Sequence, residues 1–324
     1  MRTKARLVVL ALIPVLGCAR RSEVPAPARI TVGVCALRIS LPVFLAADRG
    51  LFKKHGLDVD LKVYPTAQPM IDDLALGRTD AAGFSAYPIV FLGSQGARQP
   101  LVAATSLVED RDHRLSYALA RPGSGLRFPA GVRGRKIGIL PTVAYQRWLD
   151  ALLAAEKIGP QEVTVVPIAP PMQAQALAEG GVDLLFTNDP TATAMIAAGA
   201  AEIVDDGPPC ARRIGEPFHF GTFVLGGPLA SERPDVAARL VDAVDEAIAA
   251  VDADPAAARA AFAKVLRPEE RKWVDRYPPS RYLASRDLPA GALSSEIALE
   301  RRLGILAADA PAPAVVAWTP PMPR

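Results

Sequence analysis

One strand–helix–strand pattern occurs twice in the chain, and it restricts the fold more than any other feature. The first copy reads Val63-Tyr64-Pro65, then Pro69-Met70, Leu74 and Gly77-Arg78-Thr79-Asp80. The second reads Val165-Val166-Pro167, then Pro171-Met172, Leu177 and Gly180-Gly181-Val182-Asp183. Methionine and glycine stand seven residues apart in one copy and eight in the other. In each, the glycine ends a helix and the aspartate opens the turn into a short apolar strand. The repetition predicts two lobes of similar construction.

Strands and helices alternate around both copies. Residues 30–35, 59–64, 81–84 and 101–106 have strand patterning, with helical spacing over 41–54, 70–76 and 88–96. A second set places strands over 115–120, 136–140, 163–168, 184–187 and 201–204, with helices over 145–156, 172–178 and 191–198. This alternation predicts parallel sheets covered by helices. Residues 222–225 are strand-like, and the rest is helical. Over 234–251, Val236, Leu240, Val241, Val244 and Ile248 fall on one face. Helices over 255–266 and 296–306 follow. This tail has little strand potential and is expected to pack back on the first lobe, making that lobe discontinuous.

The chain has 324 residues, half of them hydrophobic, enough for one large or two medium domains. Aromatics are only 6%, so Ala, Leu, Val and Ile must fill the core. Three cysteines cannot build a disulfide scaffold. The net charge of +3 looks like a preference for nucleic acid until it is located. Arg2, Lys4 and Arg6 precede an apolar run from Leu7 to Leu16, interrupted only by Pro14. A membrane-spanning helix needs about 20 apolar residues, so this run is too short and has the layout of an export signal. Removing residues 1–17 leaves 34 basic and 34 acidic side chains. No downstream Lys/Arg run supplies a footprint for a phosphate backbone, so no nucleic-acid partner is expected. Val15-Leu16-Gly17-Cys18 resembles the bacterial lipobox, which implies a lipid on Cys18; an ordinary signal peptide is the alternative. Residues 18–28, with Pro25 and Pro27, have the composition of a tether.

The body resembles the periplasmic solute-binding proteins of ABC importers for nitrate, taurine, aliphatic sulfonates and thiamine pyrimidine precursors. The resemblance covers about residues 30–263. It rests on Thr31-Val32-Gly33, on Phe44-Leu45-Ala46-Ala47-Asp48-Arg49-Gly50-Leu51-Phe52 followed by Gly56-Leu57-Asp58-Val59, and on Leu76-Gly77-Arg78-Thr79-Asp80. Gly134-Arg135-Lys136-Ile137-Gly138, Gly180-Gly181-Val182-Asp183 and Asn188-Asp189-Pro190 complete it. The resemblance implies an α/β, two-lobed periplasmic-binding-protein fold of type II, with two hinge strands and a ligand cleft between the lobes. Residues 29–110 and 221–324 would form lobe 1 and residues 111–220 lobe 2. It also implies an ABC permease and ATPase encoded elsewhere, and no cofactor.

Ligands of open α/β sheets bind beyond the carboxyl ends of strands. Ser40, Thr66, Ser85, Tyr87, Thr142 and Asp189 stand at helix starts near such ends. There they either cap their own helices or offer polar groups and free N–H donors to a ligand. Arg38 follows the first strand and suits a carboxylate or sulfonate, or else is a solvated loop arginine. Tyr145, like Tyr87, either stacks on a planar ligand or packs within a lobe. Thr105 in the strand over 101–106, Asn188, and His219 near the predicted return hinge complete the candidates. Cys35 and Cys210 lie in predicted cleft-side loops, as a disulfide or as two thiols. The first-strand loop, Ala36-Leu37-Arg38-Ile39-Ser40, lacks aromatics, which favours a small anion over a flat pyrimidine.

Enzyme signatures are missing from the sequence. His55, His113 and His219 stand in no zinc-binding spacing, and no Gly-x-Ser-x-Gly elbow occurs. The clustered cysteine and histidine motif of the fungal pyrimidine-synthesis branch is also absent. The role that the resemblance implies is capture of a small polar or anionic solute. A pyrimidine-like heterocycle is the alternative ligand, and a membrane-anchored ligand sensor the alternative class.

Overall fold

A computed structural model describes residues 26–321. The expected export signal and Cys18 lie outside the described residues. The strands are β1 (Ala28–Cys35), β2 (Leu57–Tyr64), β3 (Ala81–Ser85), β4 (Leu101–Ala103), β5 (Ser106–Glu109), β6 (Tyr117–Ala120) and β7 (Lys136–Ile139). They continue with β8 (Thr164–Pro167), β9 (Leu184–Thr187), β10 (Glu202–Ile203), β11 (Phe218–Leu225), β12 (Arg281–Leu283) and β13 (Val315–Ala317). They form two sheets. The first runs β12-β5-β11-β3-β1-β2, with β4 beside β11 and β13 beside β4; the second runs β10-β6-β9-β7-β8.

Both sheets are mixed, not parallel as the alternation predicts. β1 is parallel to β2 and β3, but β11 is antiparallel to β3, β4 and β5. The reason is connectivity: β11 returns from the second sheet and enters the first from its opposite end. β11 changes partner from β5 to β4 along its length, with register shifts. The expected strand over 101–106 is divided accordingly. β6 is likewise antiparallel to β9. The tail also differs from expectation, because β12 and β13 add edge strands of three residues each. Such short strands carry no alternation to read. The expected helix over 41–54 is two helices, Leu41–Asp48 and Leu51–Lys54, interrupted at Arg49-Gly50.

The helix Pro234–Ala253 buries Val236, Leu240, Val241, Val244 and Ile248, the face its spacing predicts, and packs on Leu41–Asp48. Each such apolar side chain contributes about 1.5–3 kcal/mol when fully buried. The tail therefore covers the first sheet and holds it together across a long gap in sequence.

The chain crosses between the sheets after β5 and again before β11. Glu109, at the end of β5, is completely buried there. It accepts from Leu115 N (2.8 Å), Ser116 Oγ (2.9 Å), the Ser116 amide and Ala211 N (2.9 Å). The outgoing and returning segments are thus tied to one carboxyl group. Burial pushes its pKa up, and the amide donors oppose that.

Candidate functional site

A narrow cavity of about 40 Å³ lies between the sheets. Its wall draws on both sides: Leu37, Ile39, Thr66 and Ile89 from the first, Leu140, Thr142, Tyr145 and Asn188 from the second, and Phe220 of β11. The space holds roughly three water molecules at 10–15 Å³ each. It shares Leu37, Pro65, Thr66 and Pro170 with an adjoining groove of about 380 Å³, which also reaches Val63, Val265 and Arg267. A larger depression, of about 810 Å³, lies between β8 and the helix Val143–Ala155. Its lining comes from the second sheet's side alone, so it is not the cleft between the lobes.

Helices from both sides begin at the cavity. Ala67–Ala75 starts after Thr66, Val143–Ala155 after Thr142, and Pro170–Ala178 after Ala169. First-turn N–H groups have no partner within their own helix and carry partial positive charge. The three starts differ in what they offer. Thr142 accepts from Tyr145 N at 3.3 Å, whereas Thr66 makes no capping bond. Pro170 and Pro171 supply no N–H at all. The available amides therefore come mainly from the starts at Ala67 and Val143.

Tyr145 is fully enclosed on its ring side. Its ring lies 5.0 Å from Phe186, 5.3 Å from Trp148 and 6.4 Å from Phe220. Its buried hydroxyl lies beside Asn188 without a well-formed hydrogen bond, and burial raises its pKa well above the ordinary phenol value. An unmatched buried hydroxyl costs about 1–3 kcal/mol, a cost that a closer contact with Asn188 or a polar atom in the cavity would remove.

Four candidates from the sequence, Thr66, Thr142, Tyr145 and Asn188, line the cavity. Arg38 and Asp189 do not. They are buried and paired with each other, Nε to Oδ2 at 2.8 Å, as an ion contact. Ser85 is buried with an unpartnered hydroxyl one residue before Ala86, which does line the cavity. Ser40 is also buried and unpartnered. Tyr87 packs on Phe91, Thr105 Oγ1 accepts from Phe223 N at 3.4 Å, and His219 Nδ1 lies 2.8 Å from Ser106 Oγ. Burial lowers the pKa of His219, with Arg281 adding to the effect. Cys35 and Cys210 are free buried thiols, and burial pushes Cys35 up to about 12. The apolar wall of Leu37, Ile39, Leu140 and Phe220 was not among the candidates. No sequence signal separates a cleft leucine from a core leucine.

Two mixed α/β sheets, two crossings and an enclosed space between them define the type II periplasmic-binding-protein fold. The chain belongs to the NMT1/THI5-like family, whose model matches residues 39–258. The alkanesulfonate-binding protein SsuA of Xanthomonas axonopodis pv. citri, bound to MOPS, superposes with a TM-score of 0.71 at 19% identity, covering 90% of this chain and 99% of that one. The nitrate-binding protein NrtA of Synechocystis PCC 6803 gives 0.65 at 15% identity, covering 87% and 83%. The desulfurization enzyme DszB also shares the fold, with a TM-score of 0.60 at 18% identity over 86% of this chain and 93% of that one. In sequence, the nitrate import ATP-binding protein NrtC of Synechocystis is 26% identical over 175 residues, half of this chain. This chain spans only about a quarter of that relative's length.

Proposed function

We propose that this protein is the extracytoplasmic solute-binding subunit of an ABC importer. Its lobes, residues 29–110 with 221–324 and residues 111–220, close on a small ligand, and the closed form is recognised by a permease. In this reading residues 1–17 direct export and Cys18 carries the lipid anchor. The observation that carries it is the cavity itself, built from both lobes at once, with amide-rich helix starts and the unmatched Tyr145 hydroxyl. The nitrate and alkanesulfonate roles in the relatives' names support the same class. About 40 Å³ suits a compact acceptor head such as a sulfonate or nitrate, and an organic remainder extends into the 380 Å³ groove. The aromatic wall at Tyr145 and Phe220 suits, as a second reading, a flat pyrimidine-like heterocycle. The site binds and does not catalyse.

A thermal-shift panel of sulfonates, taurine, nitrate, pyrimidines and flavins tests this. One class raises the melting temperature with saturation, as binding to the native state requires. Tyr145→Phe weakens that ligand by about tenfold, the worth of one hydrogen bond of about 1.4 kcal/mol. No stabilisation by any member, together with unchanged scattering, would sink the reading.

A further inference from the structure

Arg38 and Asp189 are the most deeply buried ion pair described, at 2% and 1% side-chain exposure. Asp189 is anchored on its own side, and Arg38 is anchored on its own side by Nη1 and reaches the other side through Nη2. Arg38 follows β1; its Nη1 donates to Ser280 Oγ (2.7 Å) and the Pro278 carbonyl (3.2 Å), and its Nη2 to the Arg114 carbonyl. The Tyr282 hydroxyl donates to the Arg38 carbonyl at 2.9 Å. Asp189 follows β9; its Oδ1 accepts from Thr193 N at 2.9 Å and its Oδ2 from the Tyr117 hydroxyl at 3.1 Å. The 2.8 Å contact between them joins the two anchored groups across the gap between the sheets. Neither lines the cavity, although Leu37, Ile39 and Asn188, their chain neighbours, do.

The geometry points to a latch: Arg38 and Asp189 hold the lobes closed without touching the ligand, so that the ligand-free protein already populates the closed form. The inference rests on the hinge-closure reading and adds a ligand-independent term to it. Asp189 is fixed by Thr193 and Tyr117 of its own lobe and Arg38 Nη1 by Ser280 and Pro278 of its own, so little side-chain freedom is lost when they meet. That is the condition under which a buried pair repays its desolvation. Opening separates the charges, while Asp189 keeps Thr193 N and the Tyr117 hydroxyl and Arg38 keeps Ser280 and the Pro278 carbonyl. Removing one partner leaves an uncompensated charge that is satisfied only by opening to water.

Electron–electron distance measurement across the cleft tests the latch. Val63 and Met172 are 59% and 53% exposed and lie on opposite lobes, so Val63→Cys and Met172→Cys take spin labels. A Cys18→Ser background removes the third reactive site, and the buried Cys35 and Cys210 stay unlabelled. The protein is stripped of solute by unfolding and refolding. A dominant short distance beside a minor longer one is expected, with the longer one becoming dominant in Arg38→Met and in Asp189→Asn. Asp189→Ser retains a capping oxygen for Thr193 N and serves as the second aspartate variant, with near-ultraviolet circular dichroism as the folding check. A dominant long distance in the stripped parent, or a dominant short one in folded variants, overturns the latch. Failure of the solute-binding reading looks different: no panel solute stabilises the parent or the opened variants, whatever the distances.

Discussion

The two strand–helix–strand copies have the same frame and different interiors. In the first, β2 leads through Ala67–Ala75 to β3; in the second, β8 leads through Pro170–Ala178 to β9. Gly77 and Gly180 both end their helices with φ near +70° to +80°, at 71° and 77°, where glycine carries no steric penalty. Asp80 accepts from Thr31 N at 2.8 Å and donates its own N–H to the Thr31 carbonyl; Asp183 does the same with Lys136, at 2.9 Å. The frame is therefore one solution used twice. The interiors diverge. The first helix buries Met70, Ile71 and Leu74, whereas the second buries only Gln173 and Leu177. Gln173 is held by the Ile168 carbonyl and the Thr187 hydroxyl. Met172 stands 53% exposed, so it is not the counterpart of Met70; counted back from the buried leucine, Gln173 is. The first copy is built for core volume. The second exposes most of its helix and starts it with two prolines, of which Pro170 reaches the cavity.

The sharpest way to break that comparison is to cut the matching leucines. Leu74→Ala should cost about 4 kcal/mol and Leu177→Ala about 3, because the smaller cluster around Leu177 collapses more readily. Urea unfolding of both variants measures the difference, and equal losses would mean equal interiors. The pH axis separates the lobes next. Glu296 and Glu300, buried on the helix Ala292–Arg302, are raised by burial to about 8 from an ordinary 4.5. The folded state then holds protons that the unfolded chain has released, so stability falls as pH rises from about 4.5 to about 8 and levels off above. Glu296→Gln with Glu300→Gln should flatten that slope and gain on the order of 2 kcal/mol at pH 8. Thermal melts across pH 5 to 9 check it.

Smaller effects test the frame itself. Asp80→Ala and Asp183→Ala should each cost about 1–2 kcal/mol, since both lose a side-chain bond to a strand amide. Matched losses in denaturant unfolding would support a shared device, and a neutral outcome at either site would restrict it to one copy. Smallest are the caps. Thr142→Ala should lose about 1 kcal/mol and Thr66→Ala close to nothing, because only Thr142 makes a capping bond. Melting temperatures of the two variants distinguish them.

Much of this frame was legible in the sequence, and the reasons are physical. Glycine and aspartate at fixed spacing mark the turn after each helix, and the apolar face of Pro234–Ala253 announces its burial. Met172 shows the limit. A methionine after a proline looks the same whether it is buried or exposed, and only counting from Leu177 in three dimensions corrects it. The candidate site was legible where polar residues stand at helix starts, as with Thr66, Thr142 and Asn188. Arg38 and Asp189 look like ligand groups in sequence because nothing local links them. Their pairing depends on a contact 151 residues apart, which no local pattern reports. β12 and β13 were missed because three residues are too few to alternate.

Those two edge strands bear on when the protein becomes whole. The second sheet draws its strands from one continuous stretch, β6 to β10. The first needs β1 from the beginning of the body and β13 from its end. During synthesis the stretch carrying β1 to β5 therefore waits, incomplete, until β13, far along the chain, has appeared. Long-range pairing of this kind is slow to form. A chain that cannot finish its larger lobe early remains threadable for longer, which is the state in which a polypeptide passes through a membrane channel.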